Sequence, residues 1–256
     1  MLKSLLPARP FGRLFLAAAV AVGTTFLAQN ASAAANASDN GSNAAYSDGW
    51  TTGDNGGTGF GAWTLNTGGA GFAGSYVGAT GQGANSFGLY SGNDATAFSN
   101  ALRPFTGALN SGQTFNVNLG HTATINGELG LQLRNSGTPV IVLKFVTGQT
   151  NWQLWDGGSD FSAGQAYIAN SSLTFSFTYN GGSSYSYTFG TGSGNNYLAT
   201  NTISNINEVF FYDNNQGPDQ NFGFNNLSVV PEPSTYALLG LGTAFGLWQL
   251  RRRKKD

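Results

Sequence analysis

The 256-residue chain has no cysteine, a single histidine and a single methionine, and only 9% of its residues are charged. Without cysteine there are no disulfides, thiol nucleophiles, thiolate metal sites or iron–sulfur clusters. A lone His121 excludes multi-histidine metal centres, and any serine triad would depend on it. It stands in "LGHTATING" with no neighbouring acid, the setting of a turn or surface residue. No Gly-x-Ser-x-Gly elbow occurs. "GQGANSFG" lacks the Gly-Lys-Ser/Thr and the following helix of a phosphate-binding loop.

The few cations are unevenly placed. Lys3, Arg9 and Arg13 lie at one end, and Arg251, Arg252, Arg253, Lys254 and Lys255 cluster at the other. Between Ala34 and Val230 only Arg103, Arg134 and Lys144 remain, against ten acids, a net charge of −7. Such a surface has no electrostatic footprint for nucleic acid or anionic lipid. It suits divalent cations and neutral glycans.

Both ends carry targeting patterns. Met1 to Arg13 is basic, Leu14 to Ala28 is apolar, and Ala31-Ser32-Ala33 is a small-x-small site. Residues 1–33 therefore read as a signal peptide, an N-terminal helix removed by signal peptidase. At the other end, Thr235 to Leu250 is uncharged and mostly apolar. As a helix it would reach roughly 24 Å, a marginal span for a hydrocarbon core of about 30 Å. Pro231 and Pro233 stop it from extending upstream. The five basic residues after it place the C-terminus in the cytoplasm and the bulk of the chain outside.

Val230-Pro231-Glu232-Pro233-Ser234, the apolar segment and the basic tail occur in that order. The arrangement resembles the PEP-CTERM sorting signal of Gram-negative bacteria, with the motif at 231–234, a transmembrane helix at 235–250 and the tail at 251–256. The resemblance implies an exported protein recognised by an exosortase, a membrane cysteine protease that removes the tail. It also implies an inner-membrane intermediate held by the C-terminal helix, then delivery to the cell surface or beyond. Genes for such proteins often lie near exopolysaccharide genes, which suggests a biofilm-matrix setting. The alternative is a plain single-span anchor.

Residues 34–45 are small and polar and read as a flexible leader; residues 46–230 suit one domain. The region from Ala34 to Val230 holds 33 glycines, yet it is also rich in aromatic residues, which disordered chains lack. In "SLTFSFTYN", Leu173, Phe175, Phe177 and Tyr179 alternate with Thr174, Ser176 and Thr178, a half-buried strand. Asn180-Gly181-Gly182 turns the chain, and Tyr185, Tyr187 and Phe189 complete a hairpin. Leu129, Leu131 and Leu133 alternate likewise, and Val140 to Val146 is more continuously apolar. Further strands are expected at Tyr46 to Trp50, Gln113 to Leu119, "NWQLWD", Glu208 to Tyr212 and Phe222 to Val230. "GGTGFGAW" and "GGAGFAGS", twelve residues apart, read as two strands of a hairpin.

Many short strands and no amphipathic helix define an all-β, two-sheet sandwich, a jelly roll. Its size, its strand count and the closing "NFGFNNLSVV" resemble concanavalin-like and carbohydrate-binding-module jelly rolls, in which first and last strands pair.

Three acidic loops are the chemical candidates: Asp48, Asp54 and Asn55; Asp156 and Asp160; and Asp213, Asn214, Asn215, Asp219 and Asn221. The third has the oxygen density of a structural calcium site, the one cofactor candidate; ordinary turn chemistry accounts for the other two. Trp152, Trp155 and Asp156 are glycan-contact candidates, but Trp152 and Trp155 face opposite sides of a strand, so one belongs to the core. Only two glutamates, Glu128 and Glu208, lie in the domain, and no paired-carboxylate motif appears. The expected function is therefore non-enzymatic: an exported surface or matrix protein, structural or binding extracellular polysaccharide. The alternatives are a glycan-active enzyme using aspartates of the acidic loops, and a coat domain without a ligand.

Overall fold

The computed structural model describes residues 37–121, 126–200, 202–215, 221–231 and 242. The chain divides after Ala34 into two units, and all described residues belong to the second. The described residues form fifteen strands: β1 (Ala37–Asp39), β2 (Thr64–Gly68), β3 (Phe72–Gly78), β4 (Ser86–Gly92), β5 (Phe98–Pro104), β6 (Gln113–His121), β7 (Glu128–Asn135), β8 (Thr138–Val146), β9 (Asn151–Trp155), β10 (Phe161–Ala166), β11 (Ser172–Gly181), β12 (Ser184–Phe189), β13 (Gly192–Leu198), β14 (Glu208–Asn214) and β15 (Asn221–Pro231). They form two antiparallel sheets, the expected sandwich. One runs β13-β12-β11-β6-β15-β4-β3 with β1 added to β15; the other runs β10-β9-β8-β7-β14-β5-β2.

Alternation decides which face each strand buries. Phe175 and Phe177 of β11 are fully buried, as are Leu129, Leu131 and Leu133 of β7. The β11–β12 hairpin pairs Phe177 with Tyr187. The continuous apolar run in β8 has a separate cause. Ile141, Leu143 and Phe145 face the core, whereas Val142 and Lys144 pair with Trp155 and Gln153 of β9 on the opposite face. The core is aromatic where leucine and isoleucine are scarce. Phe211 of β14 stacks on Phe224 of β15 across the sandwich, 3.8 Å between centroids and 5° from parallel. Trp50, Trp63 and Phe87 close around this stack. The whole core cluster lies between Ala37 and Val229, so residues 34–231 hold every buried apolar contact described.

Three expectations need correction. Residues 37–46 are part of the fold and not a leader: β1 pairs with β15 (Ala37 with Val229), and a 3-10 turn follows at Ala44–Tyr46. Tyr46 to Trp50 is consequently a turn and its exit, not a strand; both aromatic rings insert into the core from it. The glycine-rich echo is not a hairpin either: Gly56 to Trp63 makes only isolated bridges, from Thr58 to Ser38 and from Phe60 to Phe105, while the second half leads into β3, which pairs with β4. The expectation that first and last strands pair is met by β1 and β15, at a register that composition alone concealed.

β15 has two neighbours on one flank: β4 beside residues 221–224 and β1 beside 227–229. Between them lies an irregularity, with Asn226 in the left-handed region at φ 54°. Asn225 secures this hand-over. Its Oδ1 accepts from the Gly41 N–H at 2.9 Å, and its Nδ2 donates to the Gln82 and Asn85 carbonyls.

Arg103, on the inward face of β5, is fully buried and must be satisfied inside. It pairs with Asp39 of β1 at 3.1 Å and donates to the Asp54 and Gly56 carbonyls and to Asn55 Oδ1. Its guanidinium lies 4.8 Å from the Trp63 ring centroid. Tyr46 donates a short hydrogen bond to Asp39 and accepts from Trp63 Nε1 and the Gly56 N–H. Burial, then the Asp39 carboxylate, pushes the Tyr46 hydroxyl up to about 12.

Removing one partner of a buried ion pair leaves the other charge unmatched. Asp39→Asn is therefore expected to cost about 3–5 kcal/mol. Urea denaturation would show this; a loss below about 1 kcal/mol would mean that the pair contributes no more than a surface contact.

Candidate functional site

The outward face of the seven-stranded sheet carries the chemistry. Strand pairing sets three rows of side chains across it. One row runs Trp155, Val142, Gln132, Phe210, Leu102. The next runs Gln153, Lys144, Gly130, Tyr212, Asn100, and the third Val146, Glu128, Asn214, Phe98. With no side chain at Gly130, the middle row dips between Lys144 and Tyr212.

Two depressions lie on this face. One, about 570 Å³, is bounded by Trp155, Val142, Lys144 and Asp160. The other, about 400 Å³, is bounded by Phe98, Asn100, Phe210 and Asn214. Both are lined by Glu128, Gln132 and Tyr212, so they form one trough crossing β9, β8, β7, β14 and β5.

The polar groups of the trough are held in place. Tyr212 donates to Glu128 Oε1 at 2.6 Å. Burial, then the Glu128 charge, holds its hydroxyl well above the usual tyrosine range, so it stays a donor. Lys144 pairs with Asp160 at 2.9 Å. Arg134, beside the trough, donates from Nε to Gln132 Oε1 at 2.7 Å and lies 3.5 Å from the Phe210 ring centroid. Arg103 being buried, Arg134 and Lys144 are the two remaining cations between Ala34 and Val230, and both belong to this face. Aromatic faces beside fixed donors and acceptors suit a neutral, hydroxyl-rich ligand.

The earlier candidates separate. Trp155 lines the trough, while Trp152 is core, packed on Phe145 and Phe189. One of the pair is internal, as alternation requires. Asp156 is buried, accepts from the Tyr185 hydroxyl at 2.8 Å and is not among the residues lining the trough. Of the calcium candidates, four are described. Asp213 is fully buried inside β14, bonded at Oδ1 by Ser91 at 2.6 Å, and Oδ2 has no hydrogen-bond partner. Asn214 lines the trough, Asn215 donates its N–H to the Ala97 carbonyl, and Asn221 pairs with Tyr90. Asp219 lies outside the described residues. Among the described residues, no three acidic or histidine side chains converge as a metal site requires. His121 is a core residue and not a surface one, with Nδ1 2.7 Å from the Tyr167 hydroxyl.

Turn chemistry accounts for Asp54, whose carboxylate accepts from the Thr51 N–H. Glu128, Gln132, Lys144, Phe210 and Tyr212 were not among the sequence candidates. Alternation in β7, β8 and β14 puts them on the outward face, but only the pairing order gathers them.

Residues 229–254 match the PEP-CTERM protein-sorting motif. The motif indicates export to the surface or exterior and implies processing by an exosortase. Its residues 232–234, the apolar segment 235–250 and the basic cluster 251–255 lie outside the described residues, Gly242 excepted, as does the signal segment 1–33. Among the described residues no helix is long and apolar enough to cross a membrane. No curated protein matches by sequence.

Solved structures align with the chain. A sialidase aligns with TM-score 0.51 and 11% identity over 67% of this chain, which spans 17% of that protein. The galectin LEC-6 of Caenorhabditis elegans aligns with TM-score 0.36 and 12% identity, over 54% of this chain and 94% of its own. The globular domain of Trypanosoma cruzi calreticulin aligns with TM-score 0.44 and 9% identity, over 76% and 95%. At 11% identity the likeness to the sialidase is one of fold alone.

Asp213 generates a pH prediction. Burial raises its pKa well above 3.8. Below that value both folded and unfolded chains hold the proton, and nothing is lost. As pH rises, the unfolded chain ionises while the folded one does not, so stability falls until the folded pKa is reached. Asp213→Asn should be more stable than wild type at pH 7, with the advantage vanishing below pH 3.8. Denaturation midpoints of both proteins across pH would show it; a constant difference would refute it.

Proposed function

We propose that the chain is an exported, non-catalytic surface or matrix protein that binds extracellular polysaccharide along the trough. The observation that carries this reading is the trough itself. It is open, crosses five strands, and sets Trp155, Phe210 and Phe98 beside the fixed polar groups of Gln132, Glu128 and Tyr212. A linear glycan offers alternating apolar ring faces and hydroxyls to such a surface. The sorting motif supports the setting, since it directs the chain outside. Glu128 and Asp160 already serve Tyr212 and Lys144, which favours binding over acid–base work.

Affinity electrophoresis through gels containing the host's exopolysaccharide tests this. Residues 34–231 should be retarded with or without chelator, because Asp213 is buried inside β14 and the contacts of the trough are aromatic rings and fixed polar groups. Trp155→Ala should weaken retardation roughly tenfold or more, whereas Asp156→Asn should leave it unchanged. Unretarded wild type would move the reading to a coat domain; sugar release from the gel would move it to an enzyme.

Processing is checked separately. The released protein should lack residues from Thr235 onward by intact mass. A full-length tail would leave a plain anchor in place of exosortase removal.

A further inference from the structure

We propose that the polysaccharide taken by the trough carries carboxylates spaced between neutral sugars, and that the Arg134 guanidinium is the group that reads them. The inference deepens the glycan reading and rests on it.

Strand alternation places the residue. Leu129, Leu131 and Leu133 of β7 are buried, so Gln132 and Arg134 point outward, and both are partly exposed. The cross-strand neighbours of Arg134 are Pro139 of β8, which lines the larger depression, and Glu208 of β14. Two contacts then hold the guanidinium. Nε donates to Gln132 Oε1 at 2.7 Å, and Cζ lies 3.5 Å from the Phe210 ring centroid. Gln132 and Phe210 both line the trough. A sugar unit that reaches Phe210 therefore meets the guanidinium as well.

What the guanidinium lacks is an anion. Of the three cations between Ala34 and Val230, Arg103 pairs with Asp39 and Lys144 with Asp160. Among the described residues Arg134 has no ion-pair partner within the same reach. Glu208 stands opposite it in register, yet Glu208 Oε1 accepts the Gly137 N–H instead. With Nε committed to Gln132, the two Nη groups have no hydrogen-bond acceptor among the described residues. Burial lowers the Arg134 pKa against the opposing effect of the Glu208 charge, so the cation is partly stripped of water. Such a charge is costly until it is paired.

Geometry and charge name the occupant. A guanidinium held flat at Nε offers its Nη groups as a planar fork, the match of a carboxylate. The net charge of −7 opposes a dense polyanion, and the rings of the trough need neutral sugar faces. Carboxylates set apart by neutral units meet both conditions.

Affinity electrophoresis of residues 34–231 tests this in gels holding the host's exopolysaccharide, either native or with its carboxyls reduced to alcohols. Wild type should bind the native polymer at least about tenfold more tightly than the reduced one, the scale of a charged hydrogen bond. Arg134→Gln should lose that preference. Arg134→Lys keeps the charge without the fork and should lose most of it. Thermal melts of both variants report whether they fold, and the comparison of the two polymers on wild type needs neither variant. Equal binding of the two polymers by wild type overturns the inference and leaves the glycan reading standing. A preference that persists in Arg134→Gln also overturns it. Wild type retarded by neither polymer removes the glycan reading and this inference with it.

Discussion

A buried arginine organises one end of this sandwich. Arg103 lies on the inward face of β5 with no access to water, and a guanidinium there must find its partners within the protein. The partners come from segments with little regular structure: Asp39 from the three-residue β1, and Asp54, Asn55 and Gly56 from the loop before β2. Tyr46 and Trp63 complete the group, and their rings also line the aromatic core. The electrostatic demand of one side chain thus fixes the N-terminal segment against both sheets. Such networks are worth more as a device for uniqueness than as net stabilisation, since burying the charges is itself costly.

The aromatic core meets a different constraint. Glycine-rich strands supply little side-chain volume, so large flat rings must reach across the gap between sheets. Phe211 on Phe224 is the central contact, and Trp50, Trp63 and Phe87 fill around it. On the outward faces the same economy appears as rings lying over glycines. The strands can be glycine-rich because rings from neighbouring strands cover the bare backbone.

The fold class was legible because alternation is a local property. Phe175, Phe177, Leu129, Leu131 and Leu133 announce their buried faces without knowledge of any partner strand. β1 was not legible: "ASD" has no periodicity, and its place depends on Arg103, 64 positions later. The site was half legible for the same reason. Trp152 and Trp155 were visible as a pair of which one must face outward, though not which one. Glu128, Gln132 and Tyr212 join Trp155 only because β14 inserts between β5 and β7, a pairing of segments far apart in sequence. Asp213 and Asp156 misled because aspartate in an acidic stretch is usually exposed. Here both turn inward, Asp213 within β14 onto Ser91 and Asp156 just past the end of β9 onto Tyr185.

β15 runs on to Pro231, inside the segment 229–254 that matches the sorting motif. Any pull transmitted to the domain through the residues after Pro231 would be delivered along the axis of this one strand. β6 holds it along one side from Phe222 to Pro231, and β4 and β1 share the other. Load applied along such a strand shears many hydrogen bonds together, where an edge strand would peel away one bond at a time. The attachment point is thus mechanically the strongest place on the sheet from which to hang a domain.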